Sequence, residues 1–140
     1  MKHKFDWNPK TGVATCVITY KDQEFIGTAI CHPEDMDLAS ERTGSYIAEC
    51  RAYRIYYRFI REVEIKPALN ALKHAYDIMS QSKYFNENSH EAQVMRKQIA
   101  YYEDALLMIR RSMYIEAQCL REYIKNKDIV YNRIRKANKK

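Results

Sequence analysis

Glycine and proline are scarce in this chain. Three of each occur in 140 residues, and all three glycines (Gly12, Gly27 and Gly44) precede residue 45. Turns therefore concentrate in the N-terminal third, and the rest is almost uninterrupted helix former. No apolar run approaches the roughly 20 residues that span a bilayer. The opening MKHKFDWNPK lacks the apolar stretch of a signal peptide. The expectation is a cytoplasmic protein with no membrane partner. Cys16, Cys31, Cys50 and Cys119 are scattered without CxxC spacing, which predicts reduced thiols. Cys31-His32 is the only Cys/His neighbour pair, so no metal site is expected. The chain has no P-loop, GxGxxG, HExxH or GxSxG. His3, His32, His74 and His90 are far apart, and none has a nucleophile beside it. No catalytic residues and no cofactor are expected, and the chain reads as a binding protein and not an enzyme.

The formal net charge of +6 is unevenly placed: residues 121–140 hold eight Lys/Arg and two acids, while residues 1–120 are balanced. The basicity belongs to one end, Asn132 to Lys140, which reads as a solvated helix end. Nucleic acid is therefore not the expected partner.

The length and a hydrophobic content of 46% suit a single domain over residues 1–140. The spacing predicts an α+β fold, with a β-meander over 1–34, long helices over 45–82 and 89–126, and a basic tail over 127–140. In the meander, Phe5 to Trp7 is a short strand, Val13 to Tyr20 a second, and Glu24 to Cys31 a third, separated by turn-forming residues. Thr43 or Ser45 is a candidate cap for the first helix. Its apolar line runs Ala48, Ala52, Ile55, Phe59, Val63, Leu69, Leu72, Tyr76 and Met79. Pro67 interrupts that helix and predicts a kink near Glu64 to Lys66. Asn88 and Glu91 have capping-box spacing ahead of the second helix. Its apolar line from Met95 to Ile124 is close to a heptad. The two helices form an antiparallel αα-hairpin in this reading. Their flanks leave Tyr101, Leu107, Tyr114 and Tyr123 uncovered, which predicts a homo-oligomer.

Arg51, Arg54, Arg58 and Arg61 make one stripe on the first helix, interleaved with Tyr53, Tyr56 and Tyr57. Arginine matches phosphate oxygens and stacks on rings, and tyrosine offers a ring and a hydroxyl. The pattern suits an anionic aromatic ligand, a nucleotide; it also suits a solvated face with Arg–Glu pairs. A second candidate is the loop Tyr84-Phe85-Asn86-Glu87-Asn88, whose asparagines offer donor and acceptor pairs. A third is Ser40-Glu41-Arg42-Thr43-Gly44 at a helix start, where open N–H groups favour an anion. Arg110-Arg111 is a further cationic pair.

The order of these features resembles a phage family, the first anti-Thoeris (Thoeris anti-defence) family. The resemblance lies in Phe5 to Asn8, Gly12 to Cys16, Glu24 to Ala29, Cys31 to Asp35, Ser40 to Gly44, Ile47-Ala48, Arg51-Ala52 and Tyr84-Phe85-Asn86. It implies a "sponge" that binds and sequesters cyclic ADP-ribose signals in the host bacterial cytoplasm. It also implies a dimer or a higher oligomer up to a hexamer, with pockets at the subunit interface and separate sites for cyclic oligonucleotides. By position, Phe85 would stack the adenine, with Asn86 and Asn88 at polar edges. Arg42, Arg51, Arg54, Arg96 and Arg110 are the implied phosphate ligands. The competing readings are a protein-directed inhibitor of a host enzyme and a basic nucleic-acid-binding helical protein.

Overall fold

The computed structural model describes residues 1–139; Lys140, the last residue of the expected tail, lies outside them. The fold is α+β: a three-stranded antiparallel sheet in the order β1-β2-β3, then helices, the last of them long. The strands are β1 (Lys2–Asn8), β2 (Val13–Tyr20) and β3 (Gln23–Ile30). A 3-10 turn (Pro33–Leu38) leads to α1 (Glu41–Phe59), a π turn (Ile60–Ile65), α2 (Lys66–Ser80) and α3 (His90–Asn138). The described residues fall into two compact units. The first holds residues 1–56 and α3 from Met113 onward; the second holds Tyr57–Ser112.

In the first unit, local chemistry sets both hairpins. The Asn8 side-chain oxygen accepts from the Lys10 and Thr11 backbone N–H groups at 2.9 and 3.3 Å. Gly12 closes that turn at φ +68°. The second turn has only two residues, Lys21 and Asp22, both at positive φ (46° and 62°). That is the backbone a two-residue hairpin needs, here made without glycine. β1 is longer than the expected Phe5–Trp7 because it pairs with β2 along its whole length, from Lys2↔Thr19 to Asn8↔Val13.

One sheet face carries Ala14, Cys16 and Ile18 of β2 with Phe25, Gly27 and Ala29 of β3, all buried. α1 lies on that face through Ala48 and Ala52, both fully buried. Small residues on both sides let the helix backbone touch the sheet. Ser40 caps α1: its hydroxyl accepts from the Thr43 N–H at 3.4 Å, and its carbonyl accepts from Gly44 N–H at 2.9 Å. The helix thus starts ahead of the expected Thr43 or Ser45, and Gly44 falls inside its first turn. A Cβ on Gly44 would stand 2.9 Å from the Ala14 Cβ and 3.1 Å from the Trp7 ring.

The second unit opens at the π turn, where Lys66 N–H bonds to the Arg61 carbonyl, five residues back. Pro67 follows directly. It cannot donate to the preceding turn and would clash with it, so the helix widens there by one residue. Burial follows the widened register. Ile60, Ile65 and Leu69 are buried, whereas Val63 of the expected apolar line is 55% exposed. α2 and α3 meet through Lys73–Glu103 at 3.3 Å and Arg96–Tyr76 at 3.1 Å. Ser89, not Asn88, caps α3, its hydroxyl accepting from Ala92 N–H at 3.2 Å. Asn88 instead belongs to the loop, where its N–H donates to the Asn86 side chain at 2.9 Å.

α3 continues as helix through the residues expected to be a tail, to Asn138. Tyr123 packs on Tyr46 with ring centroids 4.4 Å apart and donates to the Thr43 hydroxyl at 3.4 Å. Arg135 pairs with Asp35 of the 3-10 turn. These contacts within the first unit hold the basic end in helical form.

Candidate functional site: an aromatic cleft and a loop cluster

The first unit contains a cleft of about 210 Å³ where the sheet, the start of α1 and the end of α3 converge. β1 supplies Trp7, the 3-10 turn Asp35 and its cap His32, α1 Thr43 and Arg51 and its cap Ser40, and α3 Lys127, Asp128 and Tyr131. The rings of Trp7, His32 and Tyr131, two cations, two carboxylates and a helix N-terminus therefore border one space. Lys127 and Tyr131 come from one face of α3, four residues apart.

Each group has a structural tie as well. Arg51 donates from Nη1 to the Thr28 carbonyl at 2.8 Å and so closes part of the open edge of β3. His32 Nδ1 accepts from Glu34 N–H at 3.2 Å. Burial pushes the Tyr131 hydroxyl up, against a hydrogen bond with Thr43 that pulls the other way. Tyr131 is therefore neutral near pH 7 and offers the cleft a ring and an O–H, with no added negative charge. Asp35, held by Arg135, and Asp128 are the carboxylates at the rim.

The Cys31 thiol in the cleft wall is pushed up by burial and then by Asp37. Burial also raises Cys16 and Cys50. A nucleophilic cysteine needs the opposite shift. Among the described residues no three His, Cys, Asp or Glu side chains are grouped to hold a metal ion.

The residues expected from sequence divide between the two units. Arg51 reaches the cleft. Arg42 and Arg54 are exposed on α1 and do not border it. Phe85, Asn86, Asn88, Arg96 and Arg110 lie in the second unit. There Tyr76 joins two of them: its ring meets Phe85 edge-on at 5.9 Å, and its hydroxyl accepts from Arg96. Phe85 is half-buried by that contact; the open ring of the loop is Tyr84, 83% exposed, with the Lys83 ammonium 5.0 Å above it. Asn86 turns its side-chain oxygen to the loop backbone. Arg110 is exposed, about 21 Å along α3 from Arg96, and does not join this cluster. In the stripe, Arg61 pairs with Glu62 at 2.9 Å, as a solvated face predicts.

Trp7, His32, Lys127 and Tyr131 were not among the expected site residues. The signal for Lys127 and Tyr131 is the spacing Ile124, Lys127, Tyr131, Arg135, which continues a helix face into the supposed tail; Trp7 and His32 carry no such signal. Comparison with protein-family models, with curated proteins and with solved structures found no match to this chain.

Proposed function

We propose that the chain captures a small anionic nucleotide and holds it without turnover. The signal would be of the cyclic ADP-ribose type, as in the anti-Thoeris family that the sequence resembles. One observation carries this reading: Arg51, Lys127, Trp7 and Tyr131 border a single cleft beside the N-terminus of α1. Phosphate suits the two cations and the helix terminus. A base suits the two rings. Each charged hydrogen bond contributes about 1.5–3 kcal/mol and each stacked base about 1–3 kcal/mol. Three or four such contacts reach nanomolar affinity, about −12 kcal/mol, after association costs. The raised thiols support binding over chemistry. The cluster of Phe85, Tyr76 and Arg96 is the second place for a base and a phosphate. The family reading also carries an antiparallel pairing of α2 with α3 and a homo-oligomer. Lys73–Glu103 and Tyr76–Arg96 support the antiparallel sense, since later residues of α2 meet earlier ones of α3.

A capture-and-release assay tests the proposal. Protein is mixed with cyclic ADP-ribose isomers and cyclic di- and trinucleotides and filtered, and the retained fraction is heated. Intact nucleotide missing from the filtrate and recovered on heating supports capture. Nucleotide free in every filtrate overturns it, and an altered nucleotide means an enzyme.

A second reading, contact with a host protein, draws on the second unit. Val94, Tyr101 and Met108 recur every seventh residue on α3, and all are exposed. Beside them runs a shallow groove of about 480 Å³ that includes Leu72 and Tyr102. A pull-down without nucleotide separates this reading from the first.

A further inference from the structure

Within the first unit α3 runs back along α1, and three contacts set the register. Arg135 pairs with Asp35 just ahead of α1, Tyr131 hydrogen-bonds to Thr43, and Tyr123 packs on Tyr46 with ring centroids 4.4 Å apart. Later residues of α3 thus meet earlier residues of α1. The next rung lies one turn beyond the tyrosines. Cys50 follows Tyr46 by four residues, and Cys119 precedes Tyr123 by four. Each cysteine therefore shares a helix face with its tyrosine, about 6 Å along the axis. The ladder sets Cys50 opposite Cys119.

The charges around Cys50 agree with that placement. Burial pushes its thiol up, a hydrogen bond from the Tyr46 hydroxyl pulls it down, and Glu116, Glu49 and Cys119 add to the rise. Tyr46 feels both thiols. Of the remaining cysteines, Cys16 is fully buried in the sheet and Cys31 lines the cleft; neither acts on Cys50. The facing pair is unequal: both thiols are free, with Cys119 exposed and Cys50 buried. A reagent in water reaches the first and not the second.

We propose that Cys119 and Cys50 form a modification site, a dithiol that a low-molecular-weight disulfide converts into an intrachain disulfide joining α3 to α1. The Cys119 thiolate attacks one sulfur of the reagent; that S–S bond breaks, a first thiolate leaves, and Cys119 becomes a mixed disulfide. Cys50 then loses its proton to water, its sulfur attacks Cys119 Sγ, and the second thiolate leaves. The two cysteines give up two electrons and two protons, and the reagent becomes two thiols. The new bond closes the chain around all of Tyr57–Ser112 and fixes the two helices that supply Arg51 and Lys127 to the cleft. A long closed loop restricts the unfolded chain, so the oxidised protein is the more stable form. The inference goes beyond nucleotide capture and does not depend on it.

Oxidised glutathione is the probe. The full chain is reduced, freed of reductant, treated with the probe, blocked with iodoacetamide and digested with trypsin. The expected product links the peptide Thr43–Arg51 to Ser112–Arg121 within one chain. The melting temperature rises by about 5–10 °C and falls back on adding dithiothreitol. Cys50→Ser stops at glutathione carried on Cys119. Cys119→Ser, at an exposed position, folds normally by circular dichroism and gains neither the link nor the rise. In denaturing guanidinium the links spread over other cysteine pairs, because the fold no longer selects one. Glutathione left on Cys119 of the unsubstituted chain overturns the proposal. So does a link from Cys119 to Cys16, Cys31 or a second chain, or no reaction at all. A correct link that leaves the melting temperature unchanged overturns the tie between the helices.

Discussion

The backbone carbonyl of Ala48 occupies the place where a side chain on Gly27 would stand. The Ala52 N–H crowds the same point, with the Ala52 Cα 2.9 Å away. α1 is pressed onto β3 closely enough that only a hydrogen fits between them. The colliding atoms are backbone, so no rotamer change relieves the clash. Gly27→Ala must push the helix off the sheet, uncovering Cys16 and Ile18, the largest fully buried side chains. Overpacking of a tight core costs about 1–3 kcal/mol, and a backbone clash lies at the upper end. Urea unfolding should show a loss of about 3 kcal/mol for Gly27→Ala, against less than about 0.5 kcal/mol for Thr28→Ala on the outer face.

The β2–β3 turn makes the opposite prediction. Lys21 and Asp22 both sit at positive φ, where glycine and asparagine pay least. Lys21→Asn with Asp22→Gly supplies the residues that this backbone favours. The double variant should be more stable by about 1 kcal/mol. A rise in melting temperature with an unchanged far-ultraviolet spectrum would establish it. No rise would mean that the Lys21 ammonium, 5.1 Å from the Tyr20 ring, offsets the backbone cost.

Glu116 gives the protein a dependence on pH. Burial first, then the charge of Glu49, pushes its carboxyl up to about 7 from an ordinary 4.5. A raised native value means that the folded chain holds a proton which the unfolded chain has lost. The stabilising contribution is therefore complete below about pH 4.5 and fades as pH climbs through about 7. Between those limits stability should fall with rising pH, and Glu116→Gln should remove most of that slope. Melting curves from pH 5 to 8 read it directly (a window set by the two values above). An unchanged slope in Glu116→Gln would assign the dependence elsewhere.

Much of this fold was legible in the sequence where local chemistry decides it. β2 was expected at Val13 to Tyr20 and stands there, because its alternating and β-branched residues suit a half-buried strand. The errors arise where distant residues decide. Gly44 looked like the boundary before a helix; it lies inside α1 because Trp7 and Ala14 need the space that a Cβ would fill. The charged stretch after Asn126 looked like a tail. It is helix because Tyr131 and Arg135 find Thr43 and Asp35, far away in sequence. Pro67 announced a break, and the π turn just ahead of it decides which apolar residues face inward; Val63 falls outside the stripe for that reason. Arg51 was identified as a candidate, whereas Lys127 and Tyr131 needed the fold to bring α3 to the cleft.

The cleft also changes what truncation should do. Read as a solvated tail, residues 127–140 are dispensable for capture. In the structure Lys127 and Tyr131 border the cleft, so removing them takes away one cation and one ring. A point change separates this from the loss of helix. Lys127→Met keeps the length and helix propensity of the side chain and removes only its charge. Arg51 is a poorer probe, since it also holds the edge of β3. If the phosphate sits in the cleft, Lys127→Met should weaken nucleotide capture by about ten- to a hundredfold, the ~1.5–3 kcal/mol of one charged hydrogen bond. It should also flatten the salt dependence of binding. Phe85→Ala should leave capture nearly unchanged in that case. The reverse pattern, with Lys127→Met silent and Phe85→Ala or Arg96→Met deficient, would move the ligand to the loop cluster around Tyr76.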